Sequence, residues 1–328
     1  MSEQPFPIPI LLLTFNRPDT TQEVLCAIRK ARPAQLFVAT DAPRKDHPED
    51  KENCKKVMEI IQQQVDWDCK LSIRTQNENV GPTIAISSSI NWFFSQVEEG
   101  IIFEDDCVPD QSFFPFCQKM LEKYRDDERV MMITGTNFLF LKYEMPETYF
   151  FSKYYPQWGW ATWRRAWNLY DLDMKTWPRY RDTNQLAWIY PDWRMADWYH
   201  YMFQKFYGDP NFEAWDVALW YTCIFQNGLC IVPKYNLISN IGVYGYNHTD
   251  NQEYNQYIRM PIRSIDTDNI IHPPTVIENA VYDRITIDRV YGKSYSPMNR
   301  FIFRLRYFRE KIKHALFHKE MLPEFRYL

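Results

Sequence analysis

The chain has 328 residues, 45% of them hydrophobic and 24% charged, with a net charge of −4. That balance describes a globular chain able to bury a sizeable core, and it excludes a disordered one. Nothing in the overall charge favours a nucleic-acid partner.

The seven cysteines are scattered with no CxxC pair, which argues against a structural zinc site and reads most simply as a reduced, cytoplasmic protein. The opening apolar run "PFPIPILLL" is too short to span a bilayer, and no other segment reaches that length. Aromatic residues make up 17% of the chain. Composition alone leaves two uses for them, a bulky core or a concave site for sugars or bases.

In chain order, "IPILLLTFNRP" is a continuous apolar run ending in polar residues and a proline, the pattern of a buried parallel strand. "DTTQEVLCAIRKA" predicts a helix capped by Asp19 or Thr20. "AQLFVATDAPR" is a second strand ending at Asp41, "KENCKKVMEIIQQQV" a second helix and "CKLSIRTQN" a third strand. "GPTIAISSSINWFFSQV" is a helix with Pro82 in its first turn, and "GIIFEDD" a fourth strand. Four alternations within about 110 residues predict an open parallel sheet with helices on its faces. Ligands of such sheets sit outside the carboxyl ends of the strands, so Thr14, Asn16, Arg17, Asp41, Arg74 and Glu104 to Asp106 should converge on one crevice. No Gly-rich dinucleotide fingerprint or P-loop accompanies them.

Further on, "SFFPFCQKMLEKYRDD" predicts a helix and "RVMMITGTNF" a strand. Residues 150 to 225 are rich in Trp and Tyr, and "LCIVPKYNLISNIGV" reads as a strand and its exit. "YGYNHTDNQEY" is a polar loop. Between 300 and 319, Arg300, Arg304, Arg306, Arg309, Lys311, Lys313 and Lys319 face the single acid Glu310. Phe301, Leu305, Phe308, Ile312 and Leu316 recur there at helical spacing. That is a basic amphipathic helix, which can pack on the body or attach to an anionic membrane surface.

The run "FEDD" presents the sharpest chemical question. Carboxylates clustered at a strand end repel one another and stay ionised only beside a cation or strong hydrogen-bond donors. Hard divalent ions such as Mn2+ or Mg2+ take oxygen ligands and bridge carboxylates to phosphates. The same acids could instead cap the next helix.

Six stretches occur in order: "LLLTFNRP", "VATDAPR", "NVGPTIAISSSINWFF", "FEDDCVPDQSFF", "YYPQWGWATWRRAW" and "AWDVALWY". Together, over roughly residues 8 to 250, the chain resembles GT-A-fold glycosyltransferases that use nucleotide sugars. It is similar to bacterial family 2-type enzymes and to the N-glycan-pathway N-acetylglucosaminyltransferase. The resemblance implies an α/β fold with a Rossmann-like, mostly parallel central sheet flanked by helices. It implies a single catalytic domain over 1–290, with a donor half (1–110), a Trp/Tyr-rich acceptor half (111–290) and a basic tail (291–328).

It also implies roles. Asp106 would bind the metal, Asp105 the ribose and Glu104 the ribose or sugar, while Asp41 would read the uracil edge. Thr14, Asn16, Arg17 and Gly81 would border the donor. Trp158, Gly159 and Trp160 would lie under the sugar and acceptor, Gly159 letting the backbone come close to a ligand. Asp216 would be the catalytic base, with Glu213 as the fallback, and His248 would complete the metal shell. The implied activity is metal-dependent transfer of a hexosyl or N-acetylhexosaminyl group from a UDP-sugar to a glycan or lipid-linked saccharide, with inversion. Cysteine usage suggests a cytoplasmic location, and the basic C-terminal helix adds peripheral attachment at the inner face of a membrane as the alternative to packing on the body. The competing expectations are a retaining transferase, a sugar-nucleotide pyrophosphorylase, whose Gly-rich loop and Lys after the first strand are absent from "LLLTFNRP", and a non-catalytic sugar-binding protein on the same fold.

Overall fold

A computed structural model of the protein describes residues 5–139, 145–183, 185–190, 192–242 and 257–290, with residues 301 and 305. His248 and nearly all of the basic tail lie outside the described residues.

Strand and helix alternate as the sequence predicts: β1 (Ile10–Thr14), α1 (Pro18–Ala31), β2 (Gln35–Thr40), α2 (Pro48–Gln64), β3 (Lys70–Thr75), α3 (Gly81–Phe94) and β4 (Glu99–Glu104). These four strands pair in parallel in the order β3-β2-β1-β4. Their residues alternate between two faces. Leu11, Leu13, Phe37 and Ile102 enter one buried layer, while Ile10, Leu12, Val38 and Phe103 enter the other. Burial on both faces is why β1, β2 and β4 read as apolar runs, while the edge strand β3, partly open to solvent, keeps Lys70, Ser72 and Arg74.

The register sets the site. Thr14 lies opposite Thr40, Thr40 opposite Thr75, and Leu13 opposite Glu104. All four carboxyl ends therefore stop level with one another. Strand order reverses between β1 and β4, and that switch point is where a doubly wound sheet opens a crevice.

Beyond β4 the sheet is mixed, which the alternation did not anticipate. It adds β8 (Trp160–Trp163), β6 (Val130–Thr134), β9 (Leu229–Pro233) and β7 (Tyr149–Ser152) in that order. β8 runs antiparallel to both β4 and β6. A separate ribbon pairs β5 (Cys107–Pro109) with β10 (Ile238–Asn240). Helix α4 (Phe113–Lys123) covers one face. The other face carries the short helices α5 (Arg164–Trp167), α6 (Trp177–Tyr180) and α7 (Gln185–Ile189), followed by α8 (Trp193–Gly208) and α9 (Trp215–Phe225). α10 (Ala280–Val290) clips to β7, where Asp283 accepts from Ser152 Oγ at 2.5 Å and from the Lys153 amide at 2.8 Å.

One local expectation is corrected. α1 starts at Pro18 with Arg17 as its N-cap, so neither Asp19 nor Thr20 caps it. Proline suits the first helical position because it has no N–H to leave unpaired. The Trp- and Tyr-rich half, whose use composition left open, serves the core in part: Trp160, Trp163, Trp167, Trp177 and Trp215 are buried, while Trp188 is exposed.

Candidate active site at the strand ends

The loop after β1 is tied down before any ligand arrives. Asn16 donates from Nδ2 to Asp50 Oδ1 at 2.6 Å. Asp50, fully buried in the first turn of α2, also takes Arg44 Nε at 2.6 Å and Arg44 Nη2 at 2.9 Å. One carboxylate thus ties the loop after β1 to the loop after β2. Hydrogen bonds from Arg44, opposed by burial, pull the Asp50 carboxyl down to about 2. Asn16, expected beside the donor, serves as a tether here, and Thr14 Oγ1 donates to Ala39 O at 3.4 Å.

The three acids are inequivalent. Glu104 ends β4, and Asp105 and Asp106 form the turn into β5. Arg17 answers two of them, reaching Asp105 Oδ1 through Nη2 at 2.5 Å and Asp106 Oδ2 through Nη1 at 2.9 Å. Asp105 also accepts from the Phe15 amide at 3.3 Å. Burial works against the charge on Arg17, but Asp105 and Asp106 outweigh it and hold the guanidinium firmly protonated. Burial raises the carboxyls of Glu104 and Asp105, Asp106 pushes both further up, and Arg17 opposes the rise. The Asp106 side chain is the more open of the two acids that Arg17 holds, 14% exposed against 3% for Asp105. The ribbon fixes its backbone, since the Ile241 amide donates to Asp106 O at 2.8 Å.

Asp41 has a structural task already. It accepts from the amides of Ala42 (2.9 Å), Val80 (3.2 Å) and Gly81 (3.1 Å) and from Asn79 Nδ2 (3.1 Å). These donors take up its lone pairs and anchor the start of α3. Burial raises its carboxyl while the three amides pull it back. Gly81, at φ 77°, faces Glu213: a Cβ there would stand 2.3 Å from Glu213 Oε1. Burial and then Asp41 raise the Glu213 carboxyl. Arg74 leaves the crevice and donates to Ser88 O at 2.9 Å.

Asp216 comes from the far side of the sheet, in the first turn of α9. Gln157 Nε2 donates to its Oδ2 at 2.6 Å and the Val217 amide to its Oδ1 at 3.1 Å. Burial pushes it up to about 6, against those hydrogen bonds. Its charge in turn raises Glu104, so the two acids lie close enough to interact.

The "QWGW" stretch is reassigned. Trp160 is 2% exposed, pairs within β8 and stacks on Trp215 with centroids 6.0 Å apart, so it offers no face to a sugar. Gly159 sits at φ 58°, and a Cβ there would fall 2.4 Å from Ile238 Cδ1; core packing, rather than a ligand, demands the glycine. Trp158 is half-buried, edge-on to Phe138 at 5.6 Å.

Residues that sequence reasoning missed are Asp50, Asn79 and Gln157. Asp50 carries no local mark distinguishing it from the other acids that open α2. Gln157 does: it is the one amide in an aromatic run.

The donor set suits a hard divalent ion, since the acids outnumber the cation and supply only oxygen. Among the described residues, no three His, Cys, Asp or Glu side chains are grouped to hold an ion by themselves. Also among the described residues, no helix is long and apolar enough to cross a membrane.

No family model matches the chain, and no curated protein matches it. Solved structures similar to it include the mannosyltransferase PcManGT from Pyrobaculum calidifontis in complex with GDP-Man and Mn2+. That likeness has 15% identity and a TM-score of 0.34, and covers 50% of this chain and 46% of that one. TarS 1-349 from S. aureus is similar at 10% identity and TM-score 0.33, covering 48% of this chain and 47% of that one. The inositol-1-phosphate CTP transferase from T. maritima is similar at 8% identity and TM-score 0.34, covering 88% and 98%. The chain thus spans about half the length of the first two.

Proposed function

We propose that the protein is a glycosyltransferase that moves a sugar from a nucleotide-diphosphate donor, a UDP-sugar by the sequence resemblance, to a glycan or lipid-linked saccharide. The observation that carries this reading is that Asp216, delivered by α9 and held by Gln157, lies close enough to Glu104, at the switch point, for the two charges to interact. A direct displacement needs a leaving group handled on one side and a base on the other.

In this reading the acceptor hydroxyl gives its proton to Asp216 while its oxygen attacks the anomeric carbon. The bond from that carbon to the diphosphate breaks, and the sugar inverts. A carboxyl near 6 is ionised at neutral pH, yet is a stronger base than an ordinary carboxylate. Asp106 would hold Mn2+ or Mg2+, which when bound stabilises the departing diphosphate. Arg17 would release Asp106 Oδ2 and keep Asp105, the acid assigned to the ribose. Glu104 would border the ribose or sugar.

The test is a thermal-shift screen of nucleotide sugars with and without Mn2+, followed by transfer assays and NMR of the product's anomeric configuration. UDP-sugars should raise the melting temperature in the presence of Mn2+. Asp106→Asn should abolish that dependence, and Asp216→Asn should abolish transfer while leaving donor binding. Absence of any nucleotide-sugar response would sink the reading, and a retained anomeric configuration would remove Asp216 from the role of base.

A further inference from the structure

We infer that Gln157 is a positioning residue that orients the Asp216 carboxylate and keeps it in its proton-accepting form, with Trp220 holding Gln157 in place. The inference rests on the reading of Asp216 as the base.

Three observations support it. First, Gln157 reaches Asp216 from another part of the chain, the loop between β7 and β8, and its Nε2 lies 2.6 Å from Asp216 Oδ2. Second, the orientation of its amide is determined. Trp220 Nε1 can only donate, and it faces Gln157 Oε1 at 3.4 Å, so the NH2 end must point to Asp216. Third, Trp220 sits one helical turn after Asp216 on α9, and Gln157 therefore grips two successive turns of the helix. Trp220 is itself fixed: its N–H also donates to Tyr155 O at 3.0 Å, and its ring packs on Trp198 at 5.3 Å.

Asp216 accepts from Gln157 on Oδ2 and from the Val217 amide on Oδ1, and its own backbone amide adds to the stabilisation of its charge. Other charged or titratable groups facing it are Glu104 from β4 and Tyr170 from the segment after α5, whose hydroxyl donates to Trp215 O at 3.0 Å. Neither supplies positive charge. Gln157 is thus the side-chain donor available to favour the ionised carboxylate, and it does so without adding a charge that would suppress basicity.

Gln157→Leu removes that donor while Trp220 keeps its bond to Tyr155 O. The acid limb of the kcat/KM–pH profile should move up by about one unit, since a hydrogen bond to the charged form is lost. Transfer at pH 6 should fall ~5-fold, with KM for the donor unchanged. Trp220→Phe keeps the ring and should move the limb in the same direction by less. Carboxyl 13C NMR, with the Asp216 signal identified by its loss in Asp216→Asn, should report a higher titration midpoint in both variants. An unmoved midpoint and acid limb in Gln157→Leu overturns the inference. If that variant does not fold, an unmoved midpoint in Trp220→Phe does so. Full transfer activity in Asp216→Asn would instead overturn the reading of Asp216 as the base, leaving its hydrogen bonding to be judged by the NMR midpoint.

Discussion

Asp50 has no exposed surface, yet it joins both loops that frame the crevice. Removing it takes away the carboxylate that Arg44 and Asn16 both donate to. Asp50→Ala should therefore cost about 2–4 kcal/mol in urea denaturation. The carboxyl is lowered to about 2, so its stabilisation is full above the unfolded value near 4 and is lost as pH falls towards 2. The wild type should lose its advantage over Asp50→Asn in that window. Asp216 behaves oppositely. Its raised carboxyl favours the protonated fold, a contribution complete below about 4 and lost as pH rises through about 6. Ligand-free Asp216→Asn should gain on the wild type between pH 4 and pH 8 by about 2 kcal/mol, read as a difference in melting behaviour at the two pH values. Stability and activity should thus diverge at this residue, as expected where a charge is kept for function.

Among the elements, the entry to β8 is the tightest joint. Gly159 lies against Ile238 of β10, and β10 pairs with β5 directly after the acidic turn. Gly159→Ala adds a left-handed backbone penalty and a clash, and should destabilise by about 2–3 kcal/mol in denaturant unfolding. Ile238→Ala in the same chain should recover the clash part and leave the backbone part. Full additivity of the two losses would show that the residues do not share this contact. The helices illustrate what local pattern can convey. α3 was legible from Gly81 and Pro82, but the donors its first turn needed to place, the amides of Val80 and Gly81, are taken by Asp41 from another strand end. A cap supplied from 40 residues away leaves no mark in a local window.

For the whole molecule, the basic amphipathic pattern of residues 300 to 319 leaves two roles for the tail, packing on the body or attachment to an anionic surface, and flotation separates them. Full-length protein should float with anionic liposomes and release with salt, and a chain lacking residues 300–328 should not; equal flotation of both would exclude the tail as the anchor. The parallel half of the sheet was legible throughout, because strands buried on both faces and helices buried on one leave different periods in the chain. So was the crevice edge, because parallel strands of similar length present their polar ends together. The rest depended on contacts between distant segments. Sequence marked Glu104, Asp105 and Asp106 as acids at a strand end; only the fold set Arg17 between two of them and brought Asp216 within electrostatic reach of the third. Sequence marked an aromatic run; only packing sent Trp160 into the core and turned Gln157 towards Asp216. Periodicity records how each segment meets solvent, a local property. Partner identity is settled by where other segments arrive, and a chain carries no local record of that.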